Sequence, residues 1–167
     1  MRRLRILLLV VAIAAATALL LAVIAQARAG GNGDGEGRSI RGAGATIVEG
    51  GTGPPSFTPV ITKVAFHWRS GSGHFECLAL APSAQAGSPG SGNFDTNVMY
   101  VTGPITSATG SERTFTLKGT ATVTGAGAGS NRPFTVTYTA GGPGATLVLE
   151  VSGLTFKEIL LEGQFGS

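Results

Sequence analysis

The sequence predicts an all-β chain: a single antiparallel β-sandwich or barrel of about seven to eight strands, behind an N-terminal signal helix. Three observations predict it. From Phe57 onward, apolar and polar residues alternate with a period of two. The segments between the alternating runs are rich in glycine, serine and proline. No segment beyond Ala29 carries a sustained apolar stripe at helical spacing.

The chain opens on Met1-Arg2-Arg3-Leu4-Arg5, followed by an uncharged apolar run from Ile6 to Ala25 and by Ala27-Arg28-Ala29. A basic start, an apolar core and an A-x-A site are the parts of an export signal, so residues 1–29 are expected to target the chain across a membrane, with cleavage after Ala29. The apolar run would also span a bilayer as a helix of about 30 Å, so retention as an anchor is the rival reading. Either way the three early arginines favour a cytoplasmic N-terminus and place the remainder on the far side. The expected location is secreted or extracytoplasmic, in the cell envelope. Contact with a membrane is expected only through residues 6–25, and only if they are kept.

Four of the twelve basic residues lie in this segment, and none of the nine acidic ones does. The mature chain therefore holds eight basic and nine acidic groups, a net charge of −1. The basic pI of about 9.5 belongs to the targeting segment and gives no reason to expect a nucleic-acid partner.

Residues 30–56 are glycine-rich and include Pro54-Pro55, with few apolar groups to offset the entropy of ordering. They are read as a flexible linker, with Ile47-Val48 as a candidate short edge strand. Residues 57–167 form the expected β domain. Its strands are marked by Val64, Phe66 and Trp68; by Phe75, Cys77 and Ala79; by Phe115, Leu117, Ala121 and Val123; by Phe134, Val136 and Tyr138; by Leu147, Leu149 and Val151; and by a last run from Glu158 to Phe165. The interleaved threonines suit a pleated surface. Ser70 to Gly73 and Gly141 to Gly144 read as tight turns, Gly125 to Asn131 as a glycine loop, and Pro82 to Thr96 as one long connection.

The stretch from Thr114 to Gly144 contains F-T-L-K-G-T-A-T-V-T-G, then P-F-T-V-T-Y, then G-G-P-G. It resembles small β-rich domains of exported bacterial proteins that lack a defined activity. Those domains pair an aromatic strand with a G-x-A-x-V-x-G strand and a P-G turn followed by an acidic residue. Here Ala145 follows the turn, so no acidic role carries over. The resemblance covers about thirty residues and implies a fold and a compartment, with no mechanism.

No catalytic signature stands out. There is no G-x-S-x-G and no phosphate loop. Enzymatic activity is therefore not expected, and no cofactor is called for. His67, His74 and Glu76 flank one tight turn, and two imidazoles with a carboxylate are reasonable ligands for zinc or copper. The plainer reading is a solvated outer face of a hairpin. Cys77 alternates with Phe75 and so points inward as a small apolar group, with an intermolecular disulfide as the sharper alternative. Glu76, Asp95, Glu112, Glu150, Glu158 and Glu162 read as solvated strand residues. Trp68, Phe94 and Tyr100, with Tyr138, could build an aromatic platform for a flat ligand, although Trp68 and Tyr138 also fit the core.

The expected function is that of a non-enzymatic surface or extracellular binding or structural domain, its partner unknown and possible at the cell surface. One alternative is a small-ligand carrier with a barrel pocket lined by Trp68, Phe75 and Tyr138. The other is a small secreted metal-dependent hydrolase using His67, His74 and Glu76.

Overall fold

A computed structural model of the chain describes residues 39–52, 58–84, 87–89 and 92–167. The expected signal segment, residues 1–29, lies outside the described residues.

Eight strands follow one another: β1 (Ser39–Val48), β2 (Ile61–Arg69), β3 (Ser72–Pro82), β4 (Phe94–Ser111), β5 (Thr114–Gly125), β6 (Gly129–Thr139), β7 (Thr146–Val151) and β8 (Leu154–Gly166). Each pairs antiparallel with the next, and β8 returns to β1 to close a barrel. Of the two expected architectures the barrel is the one formed. Closure leaves no exposed sheet edge, the usual liability of a threonine- and valine-rich sheet.

Two hairpins show how the sequence sets the meander. Ser70 and Gly71 connect β2 to β3 with φ of 51° and 86°, and Ser152 and Gly153 connect β7 to β8 with φ of 54° and 77°. Two successive residues at positive φ make the tight turn whose twist matches that of the strands, and glycine takes the second position at little cost.

The expected linker, residues 30–56, needs correction over its described part, residues 39–52; residues 30–38 and 53–56 lie outside the described residues. Residues 39–48 form β1, which pairs with β2 from Ser39↔Arg69 to Ile47↔Ile61 and with β8 from Arg41↔Gly166 to Val48↔Glu158. Gly42 and Gly44, two of the glycines that suggested flexibility, are sites of close approach. A Cβ on Gly42 would stand 2.3 Å from Cζ of Phe66 and 2.9 Å from Cδ1 of Phe165, so only glycine lets those rings cross β1. The glycine loop is also shorter than expected: β6 begins at Gly129 and pairs with Val123 there.

An eight-stranded barrel has an interior just wide enough for side chains to fill, and alternation supplies them. Phe75, Val101, Phe115, Leu117, Val136, Leu147 and Leu149 have no accessible surface at all, so none of them borders a water-sized void. Near the end that holds both termini of the barrel, Phe66, Phe115, Tyr138 and Phe165 interlock, with Phe66 and Tyr138 centroids 4.8 Å apart and Phe115 and Tyr138 5.3 Å apart. The Tyr138 hydroxyl donates to the Gly166 carbonyl at 3.0 Å, so the one polar atom of this cluster is satisfied at the chain's end. Phe75, the cross-strand partner of Phe66, stacks on Phe134 at 5.1 Å.

Candidate functional site

With the interior packed, concave surface has to be sought on the outer wall, and the strand register builds one there. Outward-facing residues form rows across the sheet. One row runs Gly166, Arg41, His67, His74, Pro104 across β8, β1, β2, β3 and β4. The next runs Gln164, Ala43, Ala65, Glu76, Thr102. Two alanines side by side leave a floor with no side-chain height, while Gln164 and Glu76 rise at its ends and Arg41, His67 and His74 rise along its side. The result is an open groove of about 840 Å³.

Two of the polar groups of this groove, His74 and Glu76, are held in place. The His74 Nε2 lies 2.9 Å from Thr102 Oγ1. The Tyr100 hydroxyl donates to Glu76 Oε1. That bond, which stabilises the protonated phenol, raises the pKa of Tyr100 above the usual phenol value. Glu76 is thus anchored by Tyr100, and the other long polar side chains on the groove are Arg41, His67, His74 and Gln164. Arg41 brings a permanent positive charge and a planar fork of donors suited to carboxylate or phosphate.

The structure sorts the expected site residues. His67 and His74 are direct cross-strand partners, and Glu76 shares their face. Among the described residues, however, no three His, Cys, Asp or Glu side chains stand close enough together to hold a metal ion. Trp68, Phe94 and Tyr100 do not form a platform. Trp68 turns inward at the β2–β3 hairpin end and packs against the core. Phe94 pairs with Pro82 at the opposite end of the barrel, and Tyr100 faces outward from the middle of β4. A strand's alternation and its two ends separate residues that looked interchangeable in composition.

Cys77 is free and 1 % exposed. Burial pushes its thiol well above the ordinary range, and the nearby Glu158 adds to this. The alternative, an intermolecular disulfide, therefore has no accessible sulfur to form it, and the burial agrees with the expected small apolar role.

Glu158 is the residue most misjudged from sequence. It was expected on a solvated face but is 2 % exposed inside the barrel. It shares the inward parity of Leu160, and this was the signal available. Thr62 Oγ1 donates to Glu158 Oε2 at 2.6 Å, Thr46 Oγ1 also donates to Oε2, and the two threonine oxygens contact each other. Burial holds Glu158 above the usual carboxylate range, with the two threonine bonds pulling in the opposite direction. Sealed beneath the strands, this acid has no route to a substrate.

Compared with known proteins, the chain matches no family model, no curated protein and no solved structure.

Proposed function

We propose that the chain is an exported, non-enzymatic binding domain in which the barrel serves as a rigid platform and the outer groove on β1–β3 and β8 takes the ligand. The observation that carries this reading is the contrast between the two surfaces of the sheet. The inner surface is filled by side chains without accessible area. The outer surface presents an open groove lined by Arg41, His67, His74, Glu76 and Gln164. An open groove with a permanent cation and several fixed hydrogen-bonding groups suits an extended, polar, anionic ligand, and an acidic polysaccharide is the class that an exported protein meets. Export rests on the basic start, apolar core and A-x-A site of residues 1–29.

The experiment is titration of the protein with polygalacturonate, using dextran as the neutral control. Binding of the acidic polymer alone is expected, and Arg41→Ala should weaken it about tenfold, the scale of one charge-assisted contact. Equal binding of both polymers, or of neither, would overturn the reading. The packed interior favours this reading over the carrier whose pocket would be lined by Trp68, Phe75 and Tyr138.

A further inference from the structure

A second region of the outer wall differs from the groove. Above the row that holds Ala45 and Lys63, the register aligns Ile159, Ile47, Ile61 and Leu80 across β8, β1, β2 and β3. Ile159 is 37 % exposed and the neighbouring Leu161 is 47 % exposed, two of the three large apolar residues that stand most open on the described surface. Leu161 stands out because the register between β1 and β8 shifts at Ala45/Thr46, where Ala45 faces Glu162 but Thr46 faces Leu160. The bulge leaves Leu161 unpaired and turned outward beside Ile159. A continuous apolar stripe four strands wide on the outside of a barrel with a complete core of its own does not serve that core.

The charges around the stripe identify its occupant. On the groove side stand Glu162 from β8 and Lys63 from β2, which pair across Ala45 at 3.4 Å. On the opposite side stand Lys157 from β8 and Glu49 just after β1, whose backbone N–H donates to the Lys157 carbonyl at 2.8 Å. All four are exposed. Going around the stripe, the signs alternate at its four corners. A two-fold axis lying in the plane of such a patch and crossing the strands at the Ile47 row brings Glu162 over Lys157 and Lys63 towards Glu49 of a second copy, and lays apolar stripe on apolar stripe. An anionic lipid surface would be matched by corners of one sign, and these sum to zero. We infer that this face is an isologous dimer interface, formed by two copies of the chain through Ile47, Ile61, Ile159 and Leu161.

The test is sedimentation of the full chain as its host processes it, over a hundredfold range of concentration, together with a cross-linking arm. The native chain should sediment as a dimer that dissociates on dilution. Ile159→Glu, at a position open enough to tolerate charge, should shift it to monomer at every concentration while the thermal melt of the barrel remains cooperative. Lys63→Glu should weaken association about tenfold, and adding Glu162→Lys should restore it. Ile47→Cys, whose only competing thiol is the buried Cys77, should form a disulfide dimer under mild oxidation, and Thr137→Cys on the far wall should not. A native chain that remains monomeric throughout, a dimer that survives Ile159→Glu, or equal cross-linking from both cysteine positions would overturn the proposal. So would capture by phosphatidylglycerol vesicles that is lost in Ile159→Glu while the native chain in solution is monomeric.

Discussion

At the scale of single residues, the molecule tolerates one acid in its core and excludes almost everything else. Glu158 is compatible with that core because Thr46 and Thr62 donate to its carboxyl while burial raises its pKa, and the consequence is a dependence of stability on pH. Its folded pKa is raised above the unfolded value, so the folded state holds its proton more tightly. The stabilisation is complete below the unfolded pKa of about 4.3 and is lost as pH rises through the folded one. Thermal melts of the native chain should therefore move to lower temperature as pH increases from the acid side, whereas Glu158→Gln should remove most of that slope and exceed the native chain in stability at high pH. Parallel curves for the two proteins would contradict this. Gly42 sets a second limit at the same scale. Gly42→Ala drives a methyl into the Phe66 ring, and a cost of about 1–3 kcal/mol is expected from overpacking, read as a lowered midpoint in urea. In the groove, Tyr100→Phe removes the hydroxyl that anchors Glu76. The freed carboxylate should then repel an anionic ligand and lower affinity for polygalacturonate without changing the melt.

At the scale of elements, what was legible in the sequence is explained by parity. Wherever apolar residues occupy every second position, as in Phe75-Cys77-Ala79 or Phe134-Val136-Tyr138, both the strand and its inward face were readable. The runs that escaped were those where another requirement overrides that pattern. β1 reads as a linker because Gly42 and Gly44 replace the side chains that would have marked two of its inward positions. β4 contains Gly103-Pro104, which breaks the alternation, yet Pro104 faces outward opposite His74 and the strand continues past it. Position within a strand was equally hidden. Trp68 and Phe94 lie at opposite ends of the barrel because their strands run from different hairpins, and only the register reveals it. β1 carries a prediction of its own, since it is the strand that joins β2 to β8. A chain begun after Val48 would leave two open edges and an uncovered core. It should lose its cooperative melt and aggregate. A soluble product that melts cooperatively would show that β1 is an accessory strand.

At the scale of the whole molecule, the proposed function rests on a division of labour between the two faces of one closed sheet. The inner face is consumed by packing, down to the acid that bridges two threonines. In the proposed reading, recognition falls to the outer wall, where the same register that packs Phe66 against Tyr138 also sets Arg41 beside His67 and His67 beside His74. The groove was only partly visible in advance. The two histidines and Glu76 were read together because they flank one hairpin, whereas Arg41 and Gln164 reach them from strands that are distant in sequence and join only through barrel closure. The measurement that tests this account most directly is a side-chain NMR titration of the protein with polygalacturonate. The account expects shifts at Arg41, His67, His74 and Gln164, with the methyl and ring signals of Val101, Leu117, Val136 and Phe75 unmoved. Shifts centred on those interior signals, or no shifts at saturating polymer, would contradict it.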